Sequence, residues 1–261
     1  MLTGAALCAM LKQRTVDGMN KIIAFENLSV FCYCNYNLCK PPIRGIVLSF
    51  RGLGSMKAFT DDSPEVADDA KLYGDRGILY VKPNTNPWSW MNRQAVAVTD
   101  EIMDVLFDHF KLPADTPIIS TGGSMGGQQA IVYMLYAKRT PIACAVNCAV
   151  CDMPYHYTER PDLPRSMYSA FYEEEGSIEN VLPTRSPLHL VDKLPHVPYY
   201  VFHCDKDAAV NIHMHSEKFV AEMRKAGHTV TYHVVPDRGH CSLTDEMKAL
   251  FAEYVCKEIE Q

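Results

Sequence analysis

Ser124 sits in Gly122-Gly123-Ser124-Met125-Gly126, a G-x-S-x-G sequence entered by the apolar run 117–121 and left by the helix-like run 125–138. A serine on such a strand-to-helix turn is held in strained backbone with its hydroxyl exposed, and small neighbours avoid clashes there. The helix start behind it aims free N–H groups at developing negative charge. The chemistry this suggests is nucleophilic attack on a carbonyl, although a glycine-rich turn that merely closes a strand would share the motif. A hydroxyl is a weak nucleophile until a base removes its proton. Of the ten histidines, most fall inside apparent strands or helices. His240 instead lies in the polar loop Asp237-Arg-Gly-His-Cys241, after the last strand and before the final helix, and is the expected base. His213 and His215, near one apparent helix start, are the alternatives.

The imidazole needs a carboxylate to fix its tautomer and stabilise the imidazolium. His203-Cys-Asp-Lys-Asp-Ala-Ala-Val210 follows an apolar strand and offers two. Asp207, deeper in the loop and followed by small residues, is the expected acid. Asp205 is expected to shape the turn, and Asp152, at the end of the preceding strand, is a further alternative. The tetrahedral oxyanion must meet preorganised N–H donors. Met125, next after the nucleophile, supplies one, and the Leu53 amide in Phe50-Arg-Gly-Leu-Gly-Ser55 is expected to supply the second. Arg51 could bind an acidic group of the substrate or make a structural salt bridge or turn contact.

These residues need elements to carry them. Apolar, β-rich runs at 43–50, 77–81, 117–121, 142–150, 198–203 and 229–235 alternate with helical patterns at 64–73, 93–110 and 125–138. Val98, Ile102, Val105, Leu106 and Phe110 mark one face of the second helix. Ser242 is expected to open the final helix, with Asp245 as its capping-box partner. Residues 20–36 are expected to supply initial antiparallel strands. Short, fully apolar strands alternating with helices predict a mostly parallel sheet covered on both faces, in the α/β class. Residues 152–183 break the rhythm with prolines, aromatics and Glu173-Glu174-Glu175. Such a stretch predicts a cap or lid over a site, with the glutamates forming a solvated face.

Composition narrows the alternatives. The 25 basic and 31 acidic side chains give a net charge of −6, and no basic stripe points to nucleic acid or an anionic membrane. The apolar run 2–11 lacks a preceding basic residue and is too short to span a bilayer, so a cytoplasmic protein is expected. The ten cysteines crowd into apolar stretches and are expected to be free and to pack as small hydrophobes. Cys148-Ala-Val-Cys151 has no second pair of matching spacing, so neither zinc nor a redox role is expected of it.

The chain order Ser124…Asp207…His240 is the α/β-hydrolase order. Together with Arg51-Gly-Leu-Gly54, Gly122–Gly127, Ser186-Pro187, Lys193-Leu-Pro195 and His203-Cys-x-x-Asp207-x-x-Val210, it resembles the α/β-hydrolase superfamily. More narrowly, it is similar to the catalytic domain of prolyl oligopeptidase-like serine hydrolases and their esterase relatives, over about residues 40–258. The resemblance implies an α/β-hydrolase fold with an eight-stranded sheet, the same three catalytic residues, and no metal or cofactor. Residues 1–261 would then form one domain, with 152–183 inserted. Three departures stand out. Arg51-Gly52 replaces the relatives' His-Gly, Cys204 replaces a glycine, and Pro83–Asn92 lacks their glycine-rich loop. That last segment carries Trp88 and Trp90, the only tryptophans. They suit an apolar or aromatic substrate portion, or equally plain packing beneath the lid.

Three functions fit. The first is an esterase acting through an acyl-enzyme on small or medium substrates, with an apolar or aromatic portion where the tryptophans serve binding. The second is a peptidase with the same machinery, less favoured because a separate gating domain does not fit in this length. The third is a non-catalytic hydrolase-fold binding protein, which the intact triad disfavours. Small ester or short peptide substrates are thus the expected partners.

Overall fold

The computed structural model describes residues 22–261, so the apolar run 2–11 lies outside the described residues. Seven strands form one sheet: β1 (Cys32–Cys34), β2 (Gly45–Phe50), β3 (Ile78–Pro83), β4 (Ile118–Gly123), β5 (Ala143–Asn147), β6 (Tyr199–Cys204) and β7 (Val230–Val235). Their order is β1-β3-β2-β4-β5-β6-β7; β1 runs antiparallel to β3 and every other pairing is parallel. The helices are α1 (Leu28–Phe31), α2 (Ala67–Asp75), α3 (Arg93–Phe110), α4 (Met125–Tyr136), α5 (Met153–Glu159), α6 (Leu163–Phe171), α7 (Ile178–Val181), α8 (Lys218–Lys225) and α9 (Asp245–Glu260).

The sheet is buried on both sides because its strands alternate apolar side chains to two separate cores. Ile46 and Leu48 of β2 join residues of α3, α4 and α8, including Ile102, Ile131 and Phe219. Val47, between them, joins Ala70 and Tyr73 of α2 and Val255 and Ile259 of α9. A period of two along each strand thus yields the three-layer α/β/α arrangement. Phe50 stands opposite Gly122 in the β2–β4 ladder, so the expected oxyanion loop and the Ser124 turn leave the same sheet edge side by side.

Three expectations change. Among the described residues the sheet has seven strands rather than eight, because only Cys32–Cys34 of residues 20–36 pairs. The Asn27 side chain accepts from the Ala24 amide at 2.8 Å and donates to the Ile22 carbonyl at 3.0 Å. Such local bonds compete with a ladder and turn Phe25–Phe31 helical. The last helix starts at Asp245, not near Ser242, because the Thr244 hydroxyl accepts from the Met247 amide at 3.2 Å. Ser242 belongs instead to the turn around His240, donating its amide to Gly239 at 3.1 Å. The glutamate run is not wholly solvated either. Glu174 pairs with Arg93 and Arg185, each at 3.2 Å, and ties α6 to the start of α3.

The segment 152–183 folds as α5, α6 and α7. Its Met153, Leu163, Met167 and Phe171 form a third apolar cluster with Trp90, Met125 and Val210, beside the turn that carries Ser124. Among the described residues no helix is long and apolar enough to cross a membrane.

Candidate active site

Ser124 has φ 58° and ψ −128°, a backbone region that non-glycine residues rarely occupy. The strain is maintained by close packing on every side. The Ser124 amide donates to the Asn147 carbonyl at 3.0 Å, and the Ser124 carbonyl accepts from the Gly127 amide at 3.0 Å and the Val150 amide at 3.2 Å. A Cβ on Gly126 would overlap the Phe50 carbonyl oxygen and stand 2.8 Å from its carbon. Both groups are backbone, so neither can move aside. We therefore expect Gly126→Ala to destabilise the fold by about 2–3 kcal/mol or more, the range for overpacking a dense core. Urea denaturation followed by far-UV circular dichroism checks this, and an unchanged midpoint would refute it.

Ser124, Met125, Leu53, Arg51, Trp90 and His240 line one cavity of about 780 Å³. Asp207 stands behind it. His240 Nδ1–H donates to Asp207 Oδ2 at 2.7 Å, and Asp207 Oδ1 accepts from the Ala209 and Val210 amides at 2.8 and 2.9 Å. One carboxylate oxygen therefore holds the loop while the other orients the imidazole. Burial works to raise the Asp207 carboxyl, but hydrogen bonds from His203, His240 and the two amides outweigh it. The carboxylate stays ionised well below its usual range. Burial similarly opposes protonation of His240, and the hydrogen bonds to Asp207 and Cys148 with the Asp207 charge overcome it, lifting the imidazole to about 9.

Among the described residues, neither rival acid meets His240. Asp152 caps α5 by accepting from the Tyr155 amide at 3.1 Å. Asp205 continues the β6–β7 ladder, its amide donating to Val235 at 3.0 Å. Of the rival bases, His213 pairs with Glu217 in solvent at 2.8 Å. His215 is buried, its Nδ1 accepting from the Cys151 and Asp152 amides at 3.1 Å.

Met125 and Leu53 line the same cavity as Ser124. Met125 is the first residue of α4, where an N–H has no intrahelical acceptor. The Leu53 amide is likewise without an acceptor among the described residues. Ser124 Oγ itself forms no hydrogen bond among them. His240 Nε2 instead has the Cys241 thiol at 3.8 Å. A looser arrangement before substrate enters is common in such sites.

Arg51 forms no salt bridge among the described residues. Its guanidinium donates to the Lys57 carbonyl and Asn84 Oδ1, stacks on Phe59 at 4.3 Å, and leaves buried Nε unpartnered. Trp90 is fully buried. It packs beneath α6, with Nε1 donating to Ser166 Oγ at 3.2 Å, and also forms part of the cavity wall. Trp88 packs beside the same cluster but does not line the cavity.

Several neighbours were not anticipated from sequence. His203 Nε2–H donates to the Val210 carbonyl at 3.0 Å and lies 3.4 Å from Asp207 Oδ2, while Ser216 Oγ donates to its Nδ1 at 2.7 Å. This fully buried histidine braces the Asp207 loop, and its place five residues before two small residues, in the Asp207 motif, was the available signal. Cys148 and Cys241 are free and pack in the core as expected, and both also stand beside His240. The Cys148 sulfur accepts from the Cys204 and Cys241 amides, each at 3.4 Å, directly beside His240. The nine described cysteines are all free, and Cys148 and Cys151 do not pair.

Comparison with known proteins supports this architecture. The fold matches esterase PE8 with a TM-score of 0.55 at 16% identity, covering 81% of this chain and 92% of that one. An S-formylglutathione hydrolase from Agrobacterium tumefaciens matches at 0.62 and 13%, covering 83% of both chains. An acylaminoacyl peptidase from Pyrococcus horikoshii matches at 0.63 and 15%, covering 84% of this chain, which spans 38% of the peptidase. No curated protein is significantly similar in sequence. The α/β-hydrolase fold is thus shared with esterases and peptidases alike. The prolyl oligopeptidase family profile matches residues 101–255, which carry Ser124, Asp207 and His240, and the chain belongs to that family.

Proposed function

We propose that this protein is a serine hydrolase that cleaves carboxylic esters. The observation that carries the reading is the His240–Asp207 hydrogen bond of 2.7 Å, placed in the cavity lined by the strained Ser124 turn. His240 Nε2 takes the Ser124 proton as Oγ attacks the carbonyl, and the Met125 and Leu53 amides receive the oxyanion. The imidazolium returns the proton to the leaving alcohol. A water activated by the same nitrogen then releases the acyl group. Residues 152–183 form a cap whose apolar side closes over Trp90 and Met125 and limits water at the acyl-enzyme.

Two observations bear on the leaving group. Family membership and the peptidase folds favour peptide hydrolysis as a second reading. A peptidase acting on free N-termini needs an available carboxylate for the substrate ammonium. Of the two carboxylates among the described residues that line the cavity, Glu65 is paired with Lys57, and Asp69, which accepts from the Tyr80 hydroxyl, is the counter-charge nearest Lys82. Carboxylates already matched by lysines favour esters.

The test is a panel of 4-nitrophenyl esters beside aminoacyl- and acylaminoacyl-4-nitroanilides. We expect kcat/KM for the best ester to exceed that for the best anilide by about 100-fold or more, a gap of roughly 3 kcal/mol in transition-state stabilisation. Preference for an anilide would move the assignment to the peptidase.

A further inference from the structure

The cavity that holds Ser124 extends along the sheet edge into a lobe lined by Ser49, Tyr80, Lys82 and Arg51, a part of the site the triad does not use. Lys82, on β3, points its ammonium to Ser49 Oγ at 2.9 Å and the Tyr80 hydroxyl at 3.3 Å. An ammonium has three donors, so one remains. Neither Lys82 nor Arg51 has a carboxylate within ion-pair distance among the described residues, and Arg51, 6% exposed, keeps Nε without any partner. Desolvated cations without an anion are costly, so two in one wall are a feature to be explained.

The charges facing this lobe come from every element around it. Asp69 of α2 accepts from the Tyr80 hydroxyl at 3.1 Å and is the nearest anion. Glu65 is taken by Lys57, and Lys248 of α9 by Asp245 at 3.0 Å. Tyr73 and Tyr80 stay neutral, pushed up by burial. Arg51 and Lys82 therefore face a single carboxylate. Burial lowers Lys82 to about 8 against the pull of Asp69 and with the push of Arg51, as expected for a cation short of counter-charge.

Given the hydrolase reading above, on which this rests, we infer that the lobe is a subsite for a substrate carboxylate, held by Lys82 and Arg51, and that the preferred substrates are esters carrying a free carboxyl group. Spacing sets its reach. In the sheet order β3-β2-β4, Lys82 lies two strands from the Ser124 turn, about 10 Å, and the lysine stem shortens that gap. A carboxylate about three to six bonds from the reacting carbonyl fits. Hemiesters of short dicarboxylic acids have this form.

The test compares kcat/KM within two pairs of probes: mono-4-nitrophenyl glutarate against 4-nitrophenyl butyrate, and 4-acetoxybenzoate against phenyl acetate. The pairs place the charge on the acyl and the leaving side respectively. We expect at least one pair to favour the charged ester by about tenfold or more, the value of one charge-assisted hydrogen bond. Lys82→Met should bring that ratio to near one. In the wild type the ratio should fall as pH rises through about 8, where Lys82 loses its charge. Taking a ratio cancels the titration of His240, which both probes share. A merely structural lysine would lower both members of a pair and leave the ratio intact. No preference in either pair, or a preference that survives Lys82→Met, overturns the subsite. If instead no ester turns over and a fluorophosphonate fails to label Ser124, the hydrolase reading is what has failed.

Discussion

Ser124→Ala is expected to lower ester turnover by about 10⁴-fold or more while leaving the fold intact. Removing a nucleophile leaves only positioning and oxyanion stabilisation, and in enzymes of this chemistry losses of this order are usual. Stability should not suffer. Ser124 Oγ makes no hydrogen bond among the described residues, so its loss orphans nothing, and alanine must adopt the same φ of 58° that serine already does. The check is paired: kcat on a 4-nitrophenyl ester, and labelling by a fluorophosphonate probe, with the melting temperature recorded alongside. Labelling that persists in the alanine variant would sink Ser124 as nucleophile.

Asp207→Asn should be nearly as severe, at about 10⁴-fold in kcat, for a different reason. The asparagine side chain could still accept from the Ala209 and Val210 amides through its oxygen, so the loop would survive. What it would present to His240 Nδ1 is then an NH₂ donor, and a donor facing a donor favours the wrong tautomer. The pH profile carries the sign. Only neutral imidazole is a base, and His240 lies near 9, so wild-type kcat/KM should rise with pH through about 9. With the carboxylate gone, the residual activity should rise at lower pH, towards ordinary histidine. The same pair links pH to stability. The raised His240 stabilises the fold fully below its unfolded value, and that contribution disappears as pH rises through about 9; the lowered Asp207 contributes above the ordinary carboxylate range and loses it in acid. If Asp152→Asn abolished turnover while Asp207→Asn did not, the acid would be misassigned.

What could be read from the sequence was whatever is local. Helix 93–110 was legible from its apolar period of 3.6, and its start is set within three residues, where the Asn92 side chain accepts from the Ala95 amide. The Ser124 turn was legible for the same reason: strand, glycines and helix are contiguous. The choice between Asp207 and Asp205 is set by which side chain turns back under the loop, and the amides of Ala209 and Val210 that decide it lie within three residues. Lys82 was silent because its setting is made by Ser49 on the neighbouring strand and Asp69 on a helix. His203 read as an ordinary core histidine, since its partners Val210 and Ser216 are brought to it by the turn after β6. The final helix was misplaced because Ser242 carries the same capping chemistry as Thr244, and only the turn at Gly239 shows which of them is free to cap.

The two thiols beside His240 bear on how this chain would respond to inhibitors. Cys241 is partly exposed, its sulfur is 3.8 Å from His240 Nε2, the nitrogen we propose serves Ser124, and Cys148 lies behind it. An alkyl group added to Cys241 would fill the space in which the imidazole moves. A protein whose nucleophile is a serine would then be silenced by iodoacetamide, and inhibitor profiling alone would file it among cysteine enzymes.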